Sequence, residues 1–415
     1  MRPPLPPGPY LVVGLARSGL AAARMLRDHG QILACDSGRP ELPPDLPQAQ
    51  LGSDGLELLQ RAALVVKSPG VPSRAPVIAE ARERGVPVMG ELELAWRLLP
   101  NLFVAVTGTN GKTTTVELLG AIWRAAGLPV AVAGNVGTPL ASLVGELESD
   151  TTVVCEVSSF QAEDSVEFSP DTALLLNVTE DHLDRHSSFE AYREAKLAIF
   201  ARQRAGQVAV GPRGFELPGA ARHVEFGDPR KLPLAPEEIR LRGTHNLENA
   251  MAASAAALSK GVPEAAVARA LRSFAGVPHR LEEIGTVDGV LYVNDSKATN
   301  VSSALRGIES FQGPVHAILG GSLKGGSFKD LKPAVSARCK ACYLIGEAAA
   351  QLSRDLEGAG VELRLSGDLE TAMRDAAAAA QPGEVVLLSP ACASYDQFRD
   401  YEERGDRFRA LVPQA

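Results

Sequence analysis

Aromatic side chains are scarce in this chain. Phe, Trp and Tyr together make up 5% of its 415 residues, so its cores have to be built from aliphatic side chains. Cations are also in deficit, 42 Lys and Arg against 50 Asp and Glu for a net charge of -8, and such a surface lacks the clustered positive excess that general nucleic-acid binding requires. Local basic pockets are still allowed. Apolar runs long enough to cross a bilayer are missing, and the stretch after Tyr10 is broken by Arg17 and Arg24. No membrane partner and a cytoplasmic location are therefore expected. The five cysteines are an odd number without the spacing of a disulfide framework. Cys339 and Cys342 form one Cys-x-x-Cys pair with no second pair to complete a zinc site, and two ordinary thiols beside a strand are expected there.

What is present is the balance of a soluble globular protein, 45% hydrophobic and 22% charged, at a length that calls for more than one core. Four prolines in the first eight residues suggest a solvated, extended lead-in. Three series of apolar strands alternating with helices follow. The first has strands at 11–13, 32–35 and 64–66, with helices at 19–29 and 77–84. The second has strands at 102–106, 152–155 and 173–176, a helix ending at Gly127, and an Ala-rich pair at 246–260 and 263–274. The third has strands near Leu291 and at 315–319, 343–345 and 385–388, with a helix at 369–380. Continuous apolar strands separated by helices predict mostly parallel sheets covered on both faces, an α/β fold. The boundaries fall near Glu91 and near Val277-Pro278, giving domains 1–91, 92–277 and 278–415. Residues 211–241, rich in Pro and Gly, give no assignable pattern.

The strongest motif is Thr107-Gly108-Thr109-Asn110-Gly111-Lys112-Thr113, followed by Thr114, between a strand and a helix. Its glycines let backbone N–H groups turn inward around phosphate oxygens, Lys112 would reach the β and γ phosphates, and the Thr113 hydroxyl would hold Mg²⁺. The pattern usually carries a further glycine where Val106 stands. Gly14-Leu15-Ala16-Arg17-Ser18-Gly19, with Asp36 ending the second strand, reads either as a tight strand-to-helix turn or as a nucleotide-type site that lacks the middle glycine of a dinucleotide fingerprint. Ser68-Pro69-Gly70 falls at the same sheet edge. Glu156, trailed by Ser158, Ser159 and Gln161, and the run Asn177 to His186 both follow strands of the second series. They read as polar loops or as an oxygen-rich Mg²⁺ site, in which His182 is a metal ligand or a general base. Lys196 alone would be a surface lysine, and capping alone would explain Asn246 in His245-Asn246-Leu247-Glu248-Asn249. Asn294 to Asn300, Gly320 to Gly325 and Ser389 to Asp396 should gather at one edge of the third sheet, where lysines and hydroxyls suit a small carboxylate.

In their order along the chain, these motifs together with His279-Arg280 resemble the Mur ligases, ATP-dependent amide ligases of peptidoglycan synthesis. The resemblance implies a Rossmann-like amino-terminal domain, a phosphate-loop ATPase domain and a Rossmann-like carboxy-terminal domain. It further implies ATP and two Mg²⁺ ions as cofactors, a monomer, and an acyl phosphate intermediate. The Asn294–Asn300 and Ser389–Phe398 segments look like the branch that adds D-glutamate to UDP-N-acetylmuramoyl-L-alanine; a folylpolyglutamate-type ligase is the alternative. On this likeness Glu156 and His182 hold Mg²⁺, and Lys196 is carbamylated to hold a second ion. Asn249, Arg280 and Asp295 hold ATP, and Thr299, Lys324, Ser394 and Tyr401 surround D-glutamate with Lys297 nearby. Ser18, Asp36, Ser37, Ser68, Gly70, Asn135 and Ser158 complete the implied substrate contacts.

Overall fold

Strands that are apolar without alternation need cover on both faces, and that is how this chain places them. The computed structural model describes residues 2–44, 46, 49–181, 185–241, 243–323 and 326–413. It divides into two units, Met1–Ile239 with His245–Ser273, and Arg240–Thr244 with Phe274–Ala415.

The first unit holds two parallel sheets. One is built from β1 (Tyr10–Val13), α1 (Arg17–Leu26), β2 (Ile32–Asp36), β3 (Ala49–Leu51), α2 (Leu56–Leu59), β4 (Leu64–Lys67), α3 (Pro76–Glu83), β5 (Val88–Gly90) and α4 (Glu91–Leu98). Its strand order is β3-β2-β1-β4-β5, a doubly wound arrangement whose direction of growth reverses at β1. The other uses β6 (Phe103–Thr107), α5 (Lys112–Ala125), β7 (Val130–Gly134), β8 (Thr152–Glu156), α6 (Ser159–Glu163), β9 (Thr172–Leu175), α7 (Phe189–Ala201), β10 (Val208–Pro212) and β11 (Arg222–Phe226), in the order β11-β10-β9-β6-β8-β7. Helices α8 (Thr244–Ser259) and α9 (Glu264–Ser273) close this layer. The core is mainly aliphatic, as the composition demands; its aromatic members include Tyr10, Phe200 and an edge-to-face cluster of Trp96, Phe168 and Phe103.

The second unit runs through β12 (Glu282–Val287), β13 (Val290–Asn294), α10 (Val301–Glu309), β14 (Val315–Gly320), α11 (Lys332–Arg338), β15 (Cys339–Ile345), α12 (Ala349–Asp355), β16 (Glu362–Gly367), α13 (Leu369–Ala379), β17 (Val385–Leu388) and α14 (Tyr401–Leu411). The order is β12-β13-β17-β14-β15-β16, parallel except for the β12–β13 hairpin.

One expectation needs correction, and one unassigned segment gains its structure. The proline-rich start is not a solvated lead-in. The Arg2 guanidinium lies 5.2 Å from the Trp96 ring centroid and 5.1 Å from that of Phe103, and it donates to the carbonyls of Trp96 and Asn101. The Pro4 and Pro6 carbonyls accept from Arg97 and Tyr10. A proline segment offers free carbonyls at every residue, and here the fold supplies the donors. Residues 211–241 contain the edge strand β11 and two short 3-10 turns, at 229–231 and 236–238.

Candidate active site

In the first unit the chemistry collects where strands end. Glycine is required at Gly111, which caps α5 at a φ of 84° and whose Cβ would fall 2.2 Å from Asn249 Oδ1. Helix α8 thus lays Asn249 directly against the phosphate loop. Asn246 is no helix cap: α8 begins at Thr244, so Asn246 lies buried inside the helix and its Oδ1 accepts from Asn249 Nδ2 at 3.2 Å. The loop is also braced from β9. Thr109 N–H donates to the Asn177 carbonyl, Asn110 N–H to Asn177 Oδ1 at 2.9 Å, and Tyr192 O–H reaches Thr109 Oγ1 at 3.1 Å.

Two lysines converge on one carbonyl. Lys112 Nζ donates to the oxygens of Gly108 (2.8 Å) and Thr109 (2.9 Å), and Lys196 Nζ donates to Gly108 O at 2.8 Å. Lys196, from α7, is no surface lysine, being only 2% exposed with its ammonium 4.3 Å from the Tyr192 ring centroid. Burial, and secondarily the charge of Lys112, bring its pKa down to about 7 against the pull of Asp181 and Glu156. An amine with that pKa is about half free base and half ammonium near pH 7.

Glu156, the last residue of β8, is buried, with Oε2 accepting from Thr113 Oγ1 at 2.7 Å and Oε1 from Asn135 Nδ2 at 3.1 Å. Both donors are neutral, and among the described residues no cation stands within ion-pair distance of it. A buried carboxylate so placed is suited to a hard cation. No group of three or more His, Cys, Asp or Glu side chains is placed to hold a metal among the described residues, and the oxygen donors gathered here are a carboxylate, a hydroxyl and an amide. His182 lies outside the described residues. Ser158 forms a capping box with Gln161 at the start of α6, and Ser159 Oγ is 3.0 Å from His186 Nε2.

In the doubly wound sheet of the same unit, the turn at 14–19 and the turns after β2 and β4 meet. Asp36 Oδ2 accepts from Leu15 N–H at 2.6 Å and Oδ1 from Gly38 N–H at 2.7 Å, so this carboxylate ties two turns together. Ser68 is buried beside Gly14 and Gly19, while Ser37 and Gly70 are exposed and Ser18 is half-buried.

In the second unit the three polar clusters do assemble at one edge. Asp295 is buried, with Oδ2 accepting from Ser389 Oγ at 2.7 Å and Oδ1 from Leu281 N–H at 3.2 Å, and burial raises its pKa to about 7 against the opposing Ser389 hydrogen bond and Arg280 charge. Lys297 Nζ stands 5.6 Å from the Tyr401 ring centroid, and burial holds the Tyr401 phenol well above its usual range. Thr299 is half-buried and Ser394 buried. Lys324 lies outside the described residues. Three non-glycine residues with left-handed backbone, His279, Leu281 and Ala391, fall in these turns.

The sequence reading missed the residue that joins these turns. Arg404, in α14, is fully buried and donates from Nε to Ser296 Oγ (2.9 Å), from Nη1 to Ala393 O (3.1 Å), and from Nη2 to Ser296 O (2.8 Å) and Cys392 O (3.1 Å). Its only signal was an arginine one helical turn after Tyr401 in a polar helix.

Comparison with known proteins agrees with this layout. The chain matches the Mur ligase MurD-like N-terminal domain over residues 9–90, the Mur ligase middle domain over 106–216 and the Mur ligase glutamate ligase domain over 279–392. The UDP-N-acetylmuramoylalanine–D-glutamate ligase of Acidobacterium capsulatum is 42% identical over 440 residues, covering 97% of this chain and 95% of its own. That of Anaeromyxobacter dehalogenans is 43% identical, covering 97% and 96%. Among solved structures, the MurF ligase of Thermotoga maritima in complex with ADP superimposes with a TM-score of 0.59 at 18% identity, covering 97% of this chain and 93% of that one. With these three family domains and relatives of this closeness, the chain belongs to the Mur ligase family.

Proposed function

We propose that this chain joins D-glutamate to UDP-N-acetylmuramoyl-L-alanine at the expense of ATP. Relatives 42% and 43% identical over nearly the whole chain carry that activity in their names. One observation supports the reading most directly: Lys112 and Lys196 converge on the Gly108 carbonyl, and a buried Glu156 is bonded to Thr113 of the same loop. Phosphoryl transfer needs that grouping of cations, carboxylate and hydroxyl.

In this reading residues 1–91 hold the UDP-sugar through Ser18, Ser37, Ser68 and Gly70, with Asp36 shaping the turns and Asn135 and Ser158 contributing from the central domain. Residues 92–277 hold ATP, the phosphates resting on Gly108 to Thr114 and the adenine beside Asn249. Residues 278–415 hold D-glutamate among Lys297, Thr299, Lys324, Ser394 and Tyr401, while Arg280 and Asp295 serve the nucleotide.

The reaction has two steps. A carboxylate oxygen of the L-alanine bonds to the γ phosphorus as the bond to the ADP oxygen breaks, and Lys112 offsets charge gathering on the transferring oxygens. The D-glutamate amine then bonds to the acyl carbon, phosphate departs with the electron pair, and the amine gives up a proton. Divalent ions, which a solved folylpolyglutamate synthase of this fold binds as Mn with AMPPNP, would supply charge neutralisation between two anionic reactants. Thr113, Glu156, His182 and Lys196 would hold them at two sites. The free-base amine of Lys196 is suited to take up CO₂ as a carbamate, giving up a proton and becoming a further oxygen donor.

Phosphate release from ATP, measured with UDP-N-acetylmuramoyl-L-alanine and each of a series of amino acids, tests the proposal. D-glutamate should stimulate release together with the sugar nucleotide, and no stimulation by D-glutamate would refute the assignment.

A further inference from the structure

A buried ion pair stands between the two strand edges of the first unit. Lys67, the last residue of β4, is 1% exposed, and its Nζ lies 2.6 Å from Asp164 Oδ2, whose side chain is 2% exposed. Lys67 immediately precedes Ser68-Pro69-Gly70, and Asp164 caps the C-terminal end of α6, the helix that begins three residues after Glu156. The strut therefore runs from the Ser68 turn through Lys67, Asp164 and α6 to Ser158 and Glu156. Neighbouring bonds follow the same line. Gly90, the register partner of Lys67, donates to the Asp164 carbonyl at 3.3 Å, and a Cβ there would lie 3.1 Å from Asp164 Cβ. Ser73 Oγ donates to Glu163 Oε1 at 2.7 Å, and Glu93 Oε2 accepts from the N–H groups of Val166 and Glu167.

Stability does not explain the pair. Burying two charges carries a desolvation cost that is recovered only when the remaining lone pairs are also satisfied. Asp164 Oδ1 is buried without a hydrogen-bond partner, with the Arg82 guanidinium no nearer than 4.0 Å. What an ion pair provides and apolar packing does not is a fixed register, because aliphatic surfaces can slide where a 2.6 Å contact cannot.

We propose that Lys67 and Asp164 are positioning residues that set the offset between the turn holding the sugar nucleotide and the Glu156 edge of the phosphate site. The proposal rests on the reaction assigned above. The pair would decide how far the L-alanine carboxylate lies from the γ phosphorus, a distance for which a 1 Å error costs on the order of 100-fold in rate.

The decisive variant is the apolar double substitution K67M/D164L, with K67R as the variant that keeps the ion pair. The assay is phosphate release with ATP, UDP-N-acetylmuramoyl-L-alanine and D-glutamate, alongside thermal unfolding. The double variant should unfold at or above the wild-type temperature, while kcat/KM for the sugar nucleotide falls at least about tenfold and KM for ATP stays the same. K67R should retain most of the activity. Wild-type constants in the double variant would overturn the proposal, and so would a double variant that fails to fold or loses only stability. A wild-type protein whose phosphate release ignores the sugar nucleotide would instead sink the assigned reaction.

Discussion

Glu91 carries a pH dependence that can be worked out from its surroundings. It opens α4 and is 2% exposed; Oε1 accepts from Ala141 N–H at 2.6 Å, while Oε2 is buried without a partner. Burial raises its pKa from 4.5 to about 7, with the backbone bonds from Ala141 and Leu140 opposing. The folded state therefore binds more protons than the unfolded chain between these values, so the carboxylate costs stability as pH rises from 4.5 to 7 and the full cost applies above that. The shift corresponds to roughly 3 kcal/mol at pH 8 and under about 1 kcal/mol at pH 5. Replacing Glu91 by Gln keeps the carbonyl acceptor and removes the titration, exchanging one unpaired buried atom for another. Urea unfolding of wild type and E91Q at pH 5, 6, 7 and 8 should show the variant's relative stability growing by about 2–3 kcal/mol across the series. Parallel curves, with a gap independent of pH, would refute the reasoning.

Two further outcomes follow from the site geometry. Gly111→Ala should abolish ATP binding by calorimetry while leaving the unit folded by circular dichroism, because the new methyl would meet Asn249 Oδ1 at a backbone φ of 84°; unchanged ATP affinity would show that α8 gives way freely. Arg404→Lys keeps the charge but not the fork that spans Ser296, Cys392 and Ala393, so KM for D-glutamate should rise about tenfold or more with KM for ATP little changed. A fall in unfolding temperature with unaltered KM would make Arg404 purely structural.

Much of this site was legible because chemistry and punctuation coincide in the chain. Gly108 and Gly111 sit between an apolar strand and a helix, and Glu156 and Asn177 each close an apolar run. The strands left unread were β3, β5, β7, β10, β11, β12 and β16. β3 and β5 have three residues each, too few to show a period, while β12 and β16 mix Glu, Arg, Thr and Gly with their aliphatics because they lie at sheet edges. Arg2, Lys67 and Arg404 were illegible for a different reason. Each is a cation with a partner far along the chain, Trp96 at 94 residues from Arg2, Asp164 at 97 from Lys67 and Ser296 at 108 from Arg404, and nothing local announces those contacts. Lys196 belongs with them, since only packing against Tyr192 and the Gly108 carbonyl distinguishes it from a solvated helix lysine.

The packing of Asn249 against Gly111 also has a consequence in time. During synthesis the phosphate loop leaves the ribosome long before the helix that walls it, since about 140 residues separate the two, and at roughly 5–20 residues per second that gap lasts on the order of 10 s. A nascent chain of this protein would thus display a bare, glycine-rich loop while the rest of its first unit is still being made. Its nucleotide site would be completed only as the chain turns to its final unit.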